Sequence, residues 1–147
     1  MATTTCTITL SSSDMMDNNI SISNTATLTN QGTDTGMTKT TGLTRVITAA
    51  TSNIVLINTG DTSGNYGAAA LGADNTINRG KIFIQNLNDR GDGTKYVTVL
   101  MQAVEIGRLY GGDWCFFPFQ GAAGGDDVEL TPSSTTETTL EYIAFFE

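Results

Sequence analysis

The sequence predicts an all-β protein made of two antiparallel sheets packed face to face. Its 147 residues are rich in threonine, which favours strands, and in serine, asparagine and glycine, which favour turns. No stretch keeps the 3.6-residue apolar period of a helix. Short apolar runs instead alternate with turn residues, as expected for a jelly-roll-like sandwich. An up-and-down barrel is the alternative, and the length predicts a single domain, residues 1–147.

The composition argues against several classes of function. There are 15 acidic and 7 basic residues, and the net charge of −8 opposes binding to nucleic-acid phosphates. Histidine is absent, which removes the commonest general base and the commonest metal ligand. We therefore expect no enzyme activity, no metal and no cofactor.

Other features of the sequence predict where the protein is made. The first residues lack the basic and apolar segments of a secretion signal, and no apolar run reaches membrane-spanning length. We expect synthesis in a cytoplasm and no membrane partner. Cys6 and Cys115 show neither a CxxC nor a zinc spacing, which favours two separate thiols over a disulfide.

The first part of the chain predicts two strands and a long connection. Residues 6–10 alternate apolar and threonine side chains, and residues 19–29 resume this phase, with a bulge expected near Asn24. Residues 30–42 are polar and punctuated by glycine, and Met37 is their only large apolar residue. A long loop or an exposed arm is predicted there.

Two further strands and a turn region follow. Residues 43–49 predict a strand, and residues 53–58 predict another that is buried on both sides because its apolar run does not alternate. Residues 60–67 form a cluster of turn residues, and residues 68–71 predict at most one helical turn.

The second half predicts more strands. Residues 81–87 and 96–101 are interpreted as a hairpin joined by a surface loop at residues 88–94. After a flexible glycine-rich stretch at residues 121–125, the pattern predicts a short strand around Val128, a turn at 132–134 and a closing strand at 138–146.

The densest apolar stretch follows a double glycine. Gly111-Gly112 can take the positive φ angles of a tight turn, so we predict a β-hairpin that continues into residues 114–119. On a strand, Trp114 and Phe116 share one face, and three further apolar side chains share the other. We predict a strand between two packed layers, or between a sheet and a partner chain. The candidates for core or oligomer packing are Trp114, Phe116, Phe117, Phe119, Tyr142 and Phe145.

The search for reactive groups favours ordinary loop residues. The second half carries loop carboxylates at Asp89, Asp92, Asp113, Asp126 and Asp127. They do not match the spacing of a calcium loop, and solvated loop charge is the preferred interpretation over calcium binding or acid–base chemistry. The serines at 11–13 and 133–134 lack a histidine to activate them, so they are interpreted as turn residues.

Three short patterns suggest surface recognition. Arg90-Gly91-Asp92 spells the integrin-binding tripeptide, although an ordinary loop is the preferred interpretation. Residues 19–21 match a glycosylation sequon without a secretion signal to give it effect. Tyr110 and Trp114 together suggest a sugar-stacking platform, with core packing as the alternative, favoured more for Trp114. The surface-binding candidates are Tyr110, Asp113, Arg90 and Asp92.

Four segments carry a resemblance to a known group of proteins. They are the strand at 81–88, which ends in Asn-Leu-Asn, the strand at 96–99, the Leu-Tyr-Gly-Gly-Asp-Trp stretch within residues 106–118, and the closing Leu-Glu-Tyr-Ile at 140–143. This order over residues 80–147 resembles small structural proteins of tailed bacteriophage virions.

The resemblance implies a β-sandwich or jelly-roll subunit of the virion, made in the host cytoplasm. Such a subunit is typically a capsid decoration (cement) protein, which stabilises the head by bridging capsid subunits, or a tail component. Its implied partners are itself, as a homo-oligomer and typically a trimer, and the major capsid protein or another virion protein. It implies no catalytic residues. The alternative is a carbohydrate-binding or host-adhesion module that uses Tyr110, Asp113 and the loop at 88–94, and an enzyme is a more remote third class.

Overall fold

The computed structural model describes residues 3–13, 19–30, 32–37, 39–49, 52–57, 80–119, 127–133 and 137–146. The chain divides into two compact units, Met1–Thr38 and Lys39–Glu147. Their boundary falls inside the segment 30–42 that the sequence predicts to be a loop or an arm. The predictions for residues 60–67, 68–71 and 121–125 lie outside the described residues.

The first unit is built on one long antiparallel hairpin. Strands β1 (Thr5–Ser12) and β2 (Ile20–Thr27) pair in an unbroken register. The predicted bulge near Asn24 is therefore wrong, because Asn24 lies opposite Ile8 without any register shift. Beyond β2 the chain turns back on itself, and the Met37 amide donates a 2.9 Å hydrogen bond to the Leu28 carbonyl. Met37, expected in a polar loop, is buried at 6% exposure.

In the part of the second unit that the structure describes there are nine strands and no helix. The strands are β3 (Lys39–Thr40), β4 (Thr44–Thr48), β5 (Ile54–Ile57), β6 (Gly80–Asn86), β7 (Val97–Met101), β8 (Val104–Leu109), β9 (Trp114–Phe119), β10 (Val128–Pro132) and β11 (Thr138–Phe146). One sheet has the order β5-β10-β7-β8 and the other β3-β11-β6-β9, with β4 also paired to β11.

This strand order is that of a jelly roll. If β4 to β11 are lettered B to I, the two sheets read B-I-D-G and C-H-E-F, the arrangement that defines the fold. All the pairings are antiparallel. The prediction of an all-β, jelly-roll-like sandwich is confirmed, and the barrel alternative is set aside.

The core lies between the two sheets. In β6 and β11 every second residue is buried, so one face of each strand turns inward. Both sheets contribute to one apolar cluster: Val46, Ile82, Ile84, Phe119, Leu140, Tyr142, Ala144 and Phe146 from one, and Ile54, Leu56, Ile57, Val97, Val99, Leu109, Val128 and Leu130 from the other. Burial raises the pKa of the Tyr142 phenol above its ordinary value.

Both hairpins predicted in the second half are wrong. Strands β6 and β7 lie in different sheets, and so do β8 and β9. The Gly111-Gly112 turn therefore crosses from one sheet to the other. Four residues, 110–113, separate β8 from β9 and connect the two sheets. A double glycine between apolar runs is suited both to a hairpin within one sheet and to a turn between two sheets, so the local sequence does not distinguish these two connections.

Candidate binding surfaces

The six predicted packing residues divide between the two faces of one sheet. Phe119 and Tyr142 are buried in the core, and Phe117 packs against it. The other three, Trp114, Phe116 and Phe145, alternate with core residues along their strands and lie on the opposite face. Trp114 is 48% exposed, so the prediction of a strand between two packed layers of this chain is wrong. The alternative, a strand between a sheet and a partner chain, stays a prediction.

On the face opposite the core, five large apolar side chains of β6, β9 and β11 form what we call the outer aromatic face: Phe83, Trp114, Phe116, Ile143 and Phe145. Phe83 on β6 is their centre, since it pairs in register with Phe116 on β9 and with Ile143 on β11. Its ring also lies 5.9 Å from that of Trp114, centroid to centroid, in a tilted arrangement. Cross-strand neighbours of this kind stabilise a sheet. Trp114 is exposed, and the other four side chains are half-buried.

Trp114 is placed outward by its register. Its neighbours Cys115 and Phe117 lie opposite Ile84 and Ile82, both of which are fully buried, so Trp114 must face away from the core. The preference for Trp114 as a core residue over Tyr110 is wrong, since the two are about equally exposed at 48% and 44%.

Charge borders the outer aromatic face. The guanidinium of Arg45 on β4 donates through Nε to Glu141 on β11 over 2.9 Å, and its Nη2 contacts the same carboxylate oxygen. Lys81 pairs in register with Phe145 on one side and with Pro118 on the other. The surface thus has an aromatic centre and a charged margin.

The corner turn, residues 110–113, is closed by its own groups. The Asp113 amide donates to the Tyr110 carbonyl over 2.9 Å, and the Asp113 carboxylate accepts from the Tyr110 amide over 3.0 Å. Gly112 has a φ of +79°, which suits glycine. Arg90 donates through Nη2 to the Gly112 carbonyl over 3.2 Å. Arg90, Tyr110 and Asp113 therefore do come together, with Asp113 and Arg90 bonded to the backbone of the turn.

Asn86, which the sequence reasoning did not single out, joins this corner to both sheets. Its fully buried amide donates to the carbonyls of Lys95 and Leu109 over 2.9 and 3.0 Å, and its oxygen accepts from the Asn88 amide over 3.1 Å. Its backbone also bonds with Gly112 and Asp113. The sequence does contain a signal for this role. Asn86 occupies the inward position that follows Ile82 and Ile84 in the alternation of β6, and a buried amide requires hydrogen-bond partners.

A second aromatic group, the tyrosine cluster of Tyr96, Tyr110 and Arg108, lies beside the corner turn. The two rings are 5.4 Å apart, and the Arg108 guanidinium carbon lies 5.0 Å from the Tyr96 ring centroid. Glu105 accepts from Arg108 Nε over 3.1 Å, and this carboxylate, followed by Tyr96, raises the pKa of Arg108. The predicted Tyr110–Trp114 platform does not form as a pair, because each ring has a different aromatic partner.

The Arg90-Gly91-Asp92 segment is bonded within its own loop. Asp92 accepts hydrogen bonds from the amide and the hydroxyl of Thr94, over 3.1 and 2.5 Å, and these lower the pKa of its carboxyl. Lys95 Nζ lies 3.8 Å from the same carboxylate. Arg90 is directed to the corner turn, so both charged side chains of the tripeptide are hydrogen bonded within the protein. The interpretation of the tripeptide as an ordinary loop stays a prediction. Asp126 lies outside the described residues.

The described residues contain no group of three His, Cys, Asp or Glu side chains arranged to hold a metal ion. Cys6 and Cys115 are free thiols, and burial raises the pKa of Cys115 to about 11. Where the structure describes the chain, no helix has the length and apolar character needed to cross a membrane.

Comparison with known proteins does not assign a role to the outer aromatic face or to the tyrosine cluster. No protein-family model matches the sequence, and no curated protein is significantly similar to it.

Proposed function

We propose that the protein is a non-enzymatic structural component of a virion, most simply a capsid decoration protein that stabilises the head by bridging capsid subunits. The outer aromatic face is the observation that carries the proposal. Apolar patches with a polar margin mark protein interaction sites, and aromatic residues are enriched at such interfaces. The proposed partners are further copies of the chain, as a homotrimer, and the major capsid protein or another virion protein.

The support beneath this face suits an assembly role. Strand β6 pairs with β11 over seven consecutive residues and with β9 over six, without a register shift. Ile82, Ile84 and Tyr142 fill the opposite side of the sheet and are fully buried. A surface held in this way loses little conformational entropy when it binds. The jelly roll, which also occurs in viral capsid proteins, adds an analogy of fold, as does the resemblance over residues 80–147.

Copy number in purified phage particles tests the proposal. We expect the protein to sediment with washed virions and mass spectrometry to find it there in many copies. Trp114→Ser should lower the copy number, because it removes an exposed ring of the outer aromatic face. Val104→Ser is the matched control, since Val104 is an exposed apolar residue, at 65%, on a strand of the other sheet. Absence of the wild-type protein from washed particles would refute a virion role.

A carbohydrate-binding or host-adhesion module is the second candidate, and the tyrosine cluster favours it. Tyr110 is 44% exposed and is held beside Tyr96, with Arg108 next to that ring. An exposed aromatic ring with a nearby cation can stack on a sugar and donate hydrogen bonds to its hydroxyl or acidic groups.

A glycan array separates this candidate from the first. Binding that Tyr110→Ala abolishes and Trp114→Ser leaves intact would place recognition at the tyrosine cluster. An array on which the wild-type protein binds nothing would remove the candidate.

A further inference from the structure

The β1–β2 hairpin has two chemically different faces. One face, the hydroxyl face, consists of eight serine and threonine residues: Thr5, Thr7, Thr9, Ser11, Ser21, Ser23, Thr25 and Thr27. Two of its cross-strand pairs are hydrogen bonded through their hydroxyls, Thr7 with Thr25 at 2.8 Å and Thr9 with Ser23 at 3.3 Å. The other face, the apolar face, carries Cys6, Ile8, Leu10, Ile20, Ile22 and Ala26, together with Ser12 and Asn24.

The apolar face is largely uncovered. Leu10 and Ile22 are opposite each other in the register and are 57% and 56% exposed, and Ile20 beside them is 39% exposed. A two-stranded hairpin is only marginally stable in water, because it has no second layer against which to bury such side chains. This face therefore has the character of a contact surface.

The absence of charged residues from the hairpin strands indicates what covers the apolar face. Neither strand contains an aspartate, glutamate, lysine or arginine, although the whole chain carries a net charge of −8. Two copies of an acidic chain repel each other, and that repulsion is smallest where the contacting surfaces are uncharged. The hairpin also lacks the lysine and proline residues that commonly protect exposed strands from pairing with other copies.

We infer that the apolar face of the β1–β2 hairpin packs against the same face of another copy of this chain. An apolar, uncharged surface is complementary to itself, so copies that meet at a two-fold or a three-fold axis bury Leu10 and Ile22 against their equivalents. The inference deepens the proposed function by naming a self-association surface, and it rests on that function only for the setting in which the oligomer acts.

The test measures the mass of the purified full-length protein by native mass spectrometry and sedimentation velocity. We expect the wild type to be a dimer or a larger oligomer at micromolar concentration. Ile22→Lys should raise the dissociation constant of the oligomer at least about tenfold, because the lysine charge must then be buried in the contact between copies or that contact must open. Leu10→Lys, across the register, should act in the same way. Ser21→Lys is the matched control, because Ser21 is adjacent to Ile22 but lies on the hydroxyl face. This variant should form the same oligomer as the wild type.

Far-UV circular dichroism confirms that each variant keeps its strands. A wild-type protein that is monomeric at about 100 µM would overturn the inference. It would also be overturned if Ile22→Lys and Leu10→Lys were both folded and formed the same oligomer as the wild type. These results are distinct from a failure of the proposed function: a hairpin-dependent oligomer that is absent from virions refutes the virion role alone, and a monomer found in virions refutes the self-association alone.

Discussion

The β1–β2 hairpin and the β6–β11 pair are similar ladders with opposite burial. Both are antiparallel with no register shift, over eight and seven residue pairs. Alternate residues of β11 are buried, whereas every residue of β2 is exposed. Period-two patterning therefore shows which side chains share a face, and whether that face is covered depends on a second layer that the local sequence does not reveal.

A pair of leucine substitutions gives the largest expected contrast between these ladders. Leu140→Ala should lower the free energy of unfolding by about 3 kcal/mol, because it leaves a cavity at a fully buried position of β11. Leu10→Ala should change it by less than about 0.5 kcal/mol, since that side chain is already in water. Urea denaturation followed by far-UV circular dichroism measures both, at a concentration where the chain is monomeric. Equal losses would mean that the hairpin buries Leu10 as deeply as the sandwich buries Leu140.

Asn86 tests whether the corner of the sandwich depends on a buried polar group. Asn86→Ala should cost about 2 kcal/mol, because it leaves the Lys95 and Leu109 carbonyls without this donor. Asn53→Ala is the control: Asn53 also bonds through its side chain, to Glu129 and Thr131, but it is exposed, so a change within about 0.5 kcal/mol is expected. Thermal denaturation compares the stability of the two variants. Equal midpoints would show that the corner of the sandwich does not depend on the buried amide of Asn86.

Strand positions were largely predictable from the sequence, and their pairings were not. The closing strand was predicted at 138–146 and is found at Thr138–Phe146, because alternation, β-branched residues and a turn all coincide there. Both hairpin predictions in the second half failed, since β6 pairs with β9 and β11, whereas β7 pairs with β8 and β10. Such pairing is decided by burial between sheets, which no local pattern encodes.

The candidate surfaces were predictable in part for the same reason. The sequence indicated that Trp114 and Phe116 share a face, and they do, but it did not indicate that this face is the outer one. That assignment requires knowing that Cys115 and Phe117 meet Ile84 and Ile82 on β6. Tyr96 and Tyr110 are 14 positions apart in the sequence, and their rings meet because β7 pairs with β8, so no motif could reveal the tyrosine cluster.

Substitutions at two glycines compare the corner turn with a position on strand β8 beside its register shift. Gly112→Ala should cost about 1 kcal/mol, because its φ of +79° places an L side chain in a strained region. An added Cβ would also lie 3.0 Å from Arg90 Nε. Gly107→Ala should be neutral or stabilise by about 0.4 kcal/mol, as a Cβ there meets nothing within 4 Å. Urea midpoints give both values, and a neutral Gly112→Ala would show that the turn relaxes freely.

The last comparison is between pH values and concerns the Cys115 thiol of the second unit. Cys115 packs against the core, and its pKa is raised by burial to about 11, against an ordinary value of roughly 8.5 in an unfolded chain. The folded state thus holds the proton more tightly, so this contribution to stability is complete below the unfolded pKa and is lost as pH rises through the folded one. Between pH 8 and pH 10, the urea midpoint of the wild type should fall more than that of Cys115→Ala. A Cys115→Ala variant with the full pH dependence would show that this thiol titrates alike in the folded and unfolded chain.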